Sequence, residues 1–220
     1  MSLVAQNIAA VEEQIAKCAK EWAREASAVN LVAASKLQPD DKIEAALAAG
    51  QRLFGENRVQ EAQARWEERR RAYPDLRLHL IGPLQTNKVK EAVALFDCIE
   101  TVDREKLVHE LAKEMKKQGR MLPCFVQVNT GDEEQKAGVA VEALPTLLQV
   151  CEEAGLSVTG LMCIPPVDEP PALHFALLKK LAARHGLPEL SMGMSADFEQ
   201  AVALGATYVR VGTALFGARN

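Results

Sequence analysis

Hydrophobic and polar positions along the chain repeat one unit: a short apolar run, a polar loop and then an amphipathic segment. In its first copy, residues 31–34 are apolar, Pro39 opens a helical pattern and Gly50 ends it. Short apolar runs bounded by Gly and Pro predict buried strands, whereas apolar residues spaced by three and four predict helices. The predicted strands are 31–34, 52–54, 78–81, 98–101, 125–128, 158–162, 189–191 and 207–211.

Helical patterns follow seven of these strands, and a short turn of helix is possible after the eighth. Before the first strand, residues 3 to about 26 carry an apolar stripe with charged residues between its members, which predicts one further amphipathic helix. The stripe consists of Ile8, Val11, Ile15, Cys18 and Trp22.

Eight strands alternating with helices predict an α/β fold of the (β/α)8 TIM-barrel type with an extra N-terminal helix. A doubly wound open sheet is the structural alternative. Because no Ser/Gly-rich or low-complexity stretch separates two halves, we expect residues 1–220 to form a single domain.

Composition narrows the class of protein. The 220 residues are 48% hydrophobic and 25% charged, and 30 acidic against 26 basic side chains give a net charge of −4. A chain of this kind folds as a globular protein, and its charge argues against a nucleic-acid-binding protein. The odd number of cysteines, with no C-x-x-C spacing, predicts neither disulfides nor a metal site. Without a leader pattern or an 18-residue apolar stretch, we expect a cytoplasmic protein that does not bind membranes.

A charged run at 67–71 is the one local feature that suggests a nucleic-acid site. Glu61 with Arg65 and Glu67 with Arg71 stand four residues apart in the order that favours ion pairs along a helix. We therefore interpret the run as a solvated helix face.

Candidate chemistry is sought where each strand ends, because barrel enzymes place their functional groups at that end. Lys36 follows the first strand, and a partly desolvated lysine amine can attack a carbonyl carbon and form a Schiff base. The alternative is a lysine that merely extends to solvent at a strand end. Asn57 and Met194 follow two other strands.

An anion site is predicted after the last two strands. Ser195 stands where a helix beginning at Ala196 would have its N-cap, and Gly212 and Thr213 follow the eighth strand. Asp197 counts against a phosphate here if its carboxylate points inward, and Ser195 as a plain cap is the alternative.

Two further polar residues lie within predicted strands. Arg210 is placed to project into the barrel mouth, as a ligand contact or as half of a structural ion pair, and His79 is either a core histidine or a site residue. A lysine at one side and an anion site at the other would suit pyridoxal phosphate, which has both an aldehyde and a phosphate group.

At this point the sequence resembles the pyridoxal phosphate homeostasis proteins over nearly its whole length. The similarity is carried by five motifs in the family's order: AASK at 33–36, FGENRVQE at 54–61, HLIGPLQTNK at 79–88, LSMGMSAD at 190–197 and VRVGTALFGAR at 209–219. Arg58 departs from the family, in which an aromatic residue is common at this position.

The resemblance implies a fold-type III barrel like the N-terminal domain of alanine racemase. It implies pyridoxal 5'-phosphate bound covalently to Lys36 as a Schiff base, phosphate contacts from Ser195, Gly212 and Thr213, and Arg210 facing the pyridine nitrogen. It further implies that three residues lie near the cofactor: Asn57, His79 and Met194.

We expect this protein to store, buffer or deliver pyridoxal phosphate rather than to catalyse a reaction with it. An arginine at the pyridine nitrogen weakens the ring as an electron sink, and the racemases take a second acid/base from an added β-domain for which we expect no room here. We therefore expect a protein of vitamin B6 and amino-acid homeostasis that is not an enzyme. We expect a monomer, because the domain that completes the racemase dimer is missing, and we expect apo-enzymes or regulatory proteins as its partners. The alternatives are a racemase or lyase with Lys36 as its base, and a regulatory interaction module.

Overall fold

The predicted barrel is present. The computed structural model describes residues 1–133 and 135–217, so that Ala218 and Arg219 of the last motif lie outside the described residues. Eight strands form the barrel: β1 (Asn30–Ala34), β2 (Leu53–Glu56), β3 (Arg77–Leu80), β4 (Cys98–Val102), β5 (Cys124–Asn129), β7 (Val158–Met162), β8 (Glu189–Ser191) and β9 (Tyr208–Val211). A short strand, β6 (Val139–Ala140), lies outside this set. The eight strands are parallel and pair in the order β4-β3-β2-β1-β9-β8-β7-β5, and pairing between β4 and β5 closes the ring. Closure rules out the doubly wound open sheet.

Helices cover the outside of the barrel. They are α1 (Leu3–Glu21), α2 (Asp40–Ala48), α3 (Val59–Ala72), α4 (Val89–Leu95), α5 (Glu105–Gln118), α6 (Leu144–Glu153), α7 (Pro171–Arg184), α8 (Phe198–Ala203) and α9 (Thr213–Phe216). Three 3-10 turns lie at Ala26–Ala28, Thr86–Lys88 and Val141–Ala143. The short helix α9 confirms the turn of helix predicted after the last strand.

Two details differ from the prediction. A two-residue strand, β6 (Val139–Ala140), pairs with the end of β5. It is too short to show a periodic pattern of hydrophobic residues in the sequence. Helix α1 ends at Glu21 rather than near Ala26, so Trp22 does not continue the buried stripe and is 60% exposed. The chain turns at Ala23, whose φ is 51°, and this turn stops the helix.

The apolar side chains form two layers. One fills the space between strands and helices, and it includes large, fully buried residues such as Trp66, Phe54 and Phe96. The other lies inside the barrel, where Cys98, Phe125 and Met162 pack with Tyr208. Since successive strand residues point to opposite faces, Arg210 shares the interior face of β9 with Tyr208 and lies closer to the carboxyl end of the barrel.

Helix α1 is fastened to the last elements of the chain. Asn7 Nδ2 donates to the Leu215 carbonyl at 2.9 Å, and the Arg24 guanidinium beyond the helix donates to the carbonyls of Val202 and Ala206. The extra N-terminal helix therefore packs against α8 and α9, which flank the strand ends where the site was predicted. None of the helices within the described ranges is both long and apolar enough to span a membrane.

Candidate functional site

A cavity of about 340 Å³ opens at the carboxyl ends of β1, β2, β8 and β9. We call it the Ser195 cavity. Seven of the eight predicted site residues line it: Lys36, Asn57, Met194, Ser195, Arg210, Gly212 and Thr213. The structure thus brings together, from four parts of the chain, the side chains that the sequence analysis selected at strand ends.

Lys36 is half-buried, and within the described part of the chain its amine has no hydrogen-bond or ion-pair partner. It also lines a second, larger cavity of about 520 Å³, which we call the Lys88 cavity. Lys36 therefore stands at the wall between two cavities, whereas a lysine that only extends from a strand end would point to open solvent.

A buried carboxylate fixes the residue before Lys36. Glu56, at the end of β2, is fully buried, and its Oε1 accepts hydrogen bonds from Ser35 Oγ at 2.7 Å and from Trp66 Nε1 at 3.0 Å. Arg65 Nη1 lies 3.0 Å from the same oxygen and 2.7 Å from the Ser35 carbonyl. The segment that carries Lys36 is thus held from both its side chain and its backbone.

This network corrects the predicted pairing along α3. Arg65 turns inward to Glu56, and Glu61 pairs instead with Arg58 at 2.9 Å. The i, i+4 spacing was right for Glu67 and Arg71, which lie 3.7 Å apart with both side chains exposed. Arg65 differs because a fully buried carboxylate attracts a cation more strongly than an exposed one does.

Ser195 is not a helix N-cap, so that prediction was wrong. Helix α8 begins at Phe198 with Asp197 at its N-cap position, and Asp197 Oδ1 accepts from the Met194 N–H. Ser195 Oγ accepts from the backbone N–H groups of Gly212 and Ala214, each at 3.2 Å. The hydroxyl therefore links the loop after β8 to the start of α9, and its proton remains available to an acceptor in the cavity.

Arg210 is buried, and its guanidinium is held from two sides. Nη1 donates to Ser191 Oγ at 2.7 Å and Nη2 donates to the Cys163 carbonyl at 2.8 Å. Ser191 Oγ in turn donates to Glu100 Oε2 at 2.5 Å. The predicted counter-charge is therefore present, but it reaches Arg210 through a hydroxyl group rather than by direct contact.

His79 completes this chain of polar groups. Its Nδ1 lies 2.6 Å from Glu100 Oε1, and its ring lies 5.4 Å from that of Tyr208. His79 is not among the described residues that line the Ser195 cavity. It lies deeper in the barrel, as a core histidine with a carboxylate partner, and meets the site through Glu100, Ser191 and Arg210.

Glu100 carries the negative charge of this hydrogen-bonded network, and its pKa decides whether that charge is present. Burial by itself raises the pKa of the Glu100 carboxyl, but the hydrogen bond and charge of His79, the charge of Arg210 and the Ser191 hydroxyl together bring that pKa below its usual value. Glu100 is therefore a carboxylate at neutral pH, although no part of it is exposed.

His79, Cys98 and Glu100 present donor atoms within 4.8 Å of one another. Burial raises the pKa of the Cys98 thiol well above its usual value, and His79 and Glu100 already satisfy each other. The set is therefore better explained as a packed polar core than as a metal centre, because a metal would need the thiolate and a free histidine nitrogen.

Sequence reasoning missed Glu56, Glu100 and Ser191 as parts of the site. A signal was present for Glu100, which stands inside the apolar run 98–101, where a charge requires a buried partner. Glu56 left none, because it follows the predicted strand 52–54 among polar residues. Ser191 left no such signal, because a small polar residue at a strand end is common.

Comparison with known proteins agrees with this architecture. Residues 6–220 match the family model described as alanine racemase, N-terminal domain. The pyridoxal phosphate homeostasis protein of Pseudomonas aeruginosa is 42% identical, over 100% of this chain and 97% of its own length. The protein of the same name from Escherichia coli K12 is 35% identical, over 100% of this chain and 98% of its own.

Solved structures show the same fold. PipY of Synechococcus elongatus PCC7942, in the structure without pyridoxal phosphate (PLP), is 38% identical to this chain. It superimposes with a TM-score of 0.86 over 97% of this chain and 100% of its own. The structure of PipY with PLP bound gives a TM-score of 0.82. Alanine racemase from Bartonella henselae, at 17% identity and a TM-score of 0.73, shares the fold over 98% of this chain but only 58% of its own length. The chain therefore belongs to the alanine racemase N-terminal domain family and, within it, to the pyridoxal phosphate homeostasis proteins.

Proposed function

We propose that the chain binds pyridoxal 5'-phosphate covalently on Lys36, as a Schiff base, and takes part in the homeostasis of vitamin B6 and amino acids without catalytic turnover. The observation that carries the proposal is a half-buried lysine without a partner among the described residues, facing the same cavity as Ser195, Gly212 and Thr213. The names of the relatives and the PLP-bound structure of PipY support it.

The residues of the Ser195 cavity fit the cofactor's groups. Bound pyridoxal phosphate supplies an aldehyde carbon that an amine can hold covalently and a phosphate that requires hydrogen-bond donors. Lys36 offers the amine, while Ser195 and Thr213 offer hydroxyl groups. Gly212 lets this loop approach β1, because a Cβ at that position would lie 3.2 Å from the Ala34 carbonyl oxygen. Asn57 and Met194 form walls of the cavity.

Arg210 supports the absence of turnover. A guanidinium is permanently charged and donates hydrogen bonds without releasing its proton. Held by Ser191 and the Cys163 carbonyl, it would keep the pyridine nitrogen unprotonated and so weaken the ring as an acceptor of electrons. This is the role that we propose for Arg210.

The composition of the cavity wall argues in the same direction. Among the described residues that line the Ser195 cavity, the ionisable side chains are Lys36 and Arg210, and Arg210 holds its proton permanently. Racemisation requires an acid/base on each face of the substrate carbon. We therefore place the racemase or lyase with Lys36 as base second to the carrier.

The covalent site is tested by reduction with borohydride. The protein incubated with pyridoxal phosphate should turn yellow, and reduction should bleach it and label Lys36 alone in mass mapping. Lys36→Ala should remove the colour, whereas Lys90→Ala, which changes an exposed lysine on α4, should keep it. Label on another lysine, or colour that survives in Lys36→Ala, would overturn the assignment.

Exchange of the α-proton of amino acids in deuterated water distinguishes a carrier from an enzyme. We expect the loaded protein to show no steady exchange or consumption above the rate of free cofactor. Sustained exchange with any amino acid, lost in Lys36→Ala, would establish the racemase or lyase instead.

We further propose that the protein acts as a single-domain cytoplasmic monomer and passes its cofactor to apo-enzymes that depend on it. Transfer to such an apo-enzyme is to be measured with a trap for free pyridoxal phosphate present. Activation that the trap leaves unchanged would indicate direct transfer, and activation that the trap abolishes would contradict it.

A further inference from the structure

The Lys88 cavity lies on the other side of Lys36 and is larger than the Ser195 cavity. Three cations line it, namely Lys36, Arg58 and Lys88, and no carboxylate does so among its described lining residues. On a chain whose net charge is −4, this is a local concentration of positive charge. None of the residues assigned to the proposed function lies here except Lys36 and Asn57.

Two acids pair with these cations and compensate their charge only in part. Glu61 pairs with Arg58 at 2.9 Å, but the Arg58 side chain is 67% exposed, so this pair is weak. Glu91 lies 4.0 Å from Lys88 Nζ, the limit of an ion pair, and the Lys88 side chain is only 28% exposed. The Lys88 side chain is therefore partly removed from water, and among the described residues Glu91 is its one ion-pair partner, at the distance limit.

Helix α3 adds to the positive potential. Arg58 is its N-cap residue, no side chain caps the helix, and Asn57 to Gln60 form part of the cavity wall. The first N–H groups of a 14-residue helix carry partial positive charge and require acceptors. Lysine, arginine and helix terminus thus face one cavity, and an oxyanion would satisfy all of them.

The walls of the cavity are fixed before any ligand arrives. Thr101 Oγ1 donates to the Gly82 carbonyl at 2.9 Å, and the Arg104 guanidinium donates to the Leu84 carbonyl at 2.8 Å. Gly82 also touches Asn57 so closely that a Cβ would lie 2.3 Å from the Asn57 carbonyl oxygen. The loop after β3 and the loop after β2 are thereby locked together. A rigid site loses little entropy on binding.

From these observations we propose that the Lys88 cavity binds the anionic group of a second small molecule, a carboxylate or a phosphate monoester, beside the amine of Lys36. A volume of about 520 Å³ accommodates an organic ligand and not only an inorganic ion. The exposed amides of Gln60 and Gln85 offer further hydrogen bonds to its polar groups. The proposal does not depend on what Lys36 itself holds.

The test is calorimetric titration of the full-length protein, with and without pyridoxal phosphate, using succinate as the carboxylate probe and glycerol 3-phosphate as the phosphate probe. We expect binding to the Lys88 cavity that is weakened by added salt and is about tenfold weaker in Lys88→Gln. Arg58→Tyr, which restores the aromatic residue common in the family, should weaken binding by a smaller factor. The matched control is Lys90→Gln, which removes the same charge from the exposed face of α4 and should change the affinity less than twofold.

Ser195→Ala separates the two cavities. A probe bound in the Lys88 cavity is insensitive to Ser195→Ala and sensitive to Lys88→Gln, whereas a probe bound in the Ser195 cavity behaves in the opposite way. Preference for succinate identifies a carboxylate ligand, and preference for glycerol 3-phosphate identifies a phosphate ester. The proposal is overturned if neither probe binds, or if Lys88→Gln and Lys90→Gln bind equally. These outcomes leave the Lys36 assignment untouched, because that assignment rests on labelling.

Discussion

Arg210 and Glu100 are joined through one hydroxyl group: Arg210 donates to Ser191 Oγ at 2.7 Å, and Ser191 donates to Glu100 at 2.5 Å. A permanent cation facing the Ser195 cavity thus has its counter-charge inside the barrel, on the side away from that cavity. Because no carboxylate of the described residues contacts the guanidinium directly, its remaining donor capacity is not taken up by an ion pair.

We predict that Glu100→Gln destabilises the protein by about 3 kcal/mol at pH 7, because it leaves Arg210 and His79 without their buried counter-charge. The folded-state pKa of Glu100 is depressed, so its contribution is present above the unfolded-state pKa and is lost as pH falls through the folded value. Urea unfolding from neutral to acid pH should therefore show the difference between wild type and variant shrinking.

The control for this series is Glu105→Gln, whose side chain is 70% exposed. It should change the free energy of unfolding by less than about 0.5 kcal/mol at any pH. A Glu100→Gln effect that stays constant as the pH falls would show that the carboxyl has no depressed pKa.

We predict that Glu56→Gln costs about 2 to 4 kcal/mol, because it leaves Arg65 beside a neutral amide in a buried site. Hydrogen exchange at Ser35 and Lys36 should accelerate, since Glu56 and Arg65 hold that segment. Glu61→Gln, which removes only the exposed pair with Arg58, should leave exchange there unchanged. Equal protection in both variants would mean that the network does not position Lys36.

We predict that Gly82→Ala destabilises the protein by about 2 to 3 kcal/mol, since its Cβ would lie 2.3 Å from the Asn57 carbonyl oxygen and force the two loops apart. Gly50→Ala makes a useful comparison, because Gly50 has a φ of 96° but nothing near its Cβ, so backbone strain alone should cost about 1 kcal/mol. The two thermal unfolding midpoints should fall in that order. The reverse order would show that the contact between the loops can relax.

We predict that the native protein reacts slowly with iodoacetamide at pH 7.5. All five cysteines are buried, and burial raises the pKa of the Cys151 thiol to about 11 and of the Cys163 thiol to about 12. Labelling followed by mass mapping should modify all five only after unfolding in urea. Fast labelling of Cys163, whose backbone carbonyl accepts a hydrogen bond from Arg210, would show that this end of the barrel opens.

Much of the fold was predictable because its signals are local. The strands are short apolar runs bounded by Gly and Pro, and helices such as Pro171–Arg184 follow from apolar spacing. The end of α1 was not predictable, since the turn at Ala23 depends on Arg24 reaching carbonyl groups near residue 200. The strand Val139–Ala140 was missed because two residues carry no period.

The candidate site also has parts that the sequence predicts and parts that it does not. Lys36, Asn57, Gly212 and Thr213 were selected because each stands within three residues of the end of a predicted strand, which is a property of sequence order, and all four line the Ser195 cavity. The partners of these residues were not found, because whether Arg65 meets Glu61 or Glu56 depends on packing around β2. Ser195 was expected to cap its own helix, but its hydroxyl reaches α9 instead, a choice set by how β8 and β9 end side by side.

The pairing of β1 with β9 also determines when the barrel can close during synthesis of the chain. The lysine near the start of the chain cannot meet Arg210 or Thr213 until β9 has left the ribosome, and α1 has to wait for α8 and α9 before its apolar face is covered. A nascent chain that stalls before residue 208 would expose Lys36 and an uncovered amphipathic helix together. Such a chain would depend on chaperones, and the Ser195 cavity would form only after β9 had paired with β1.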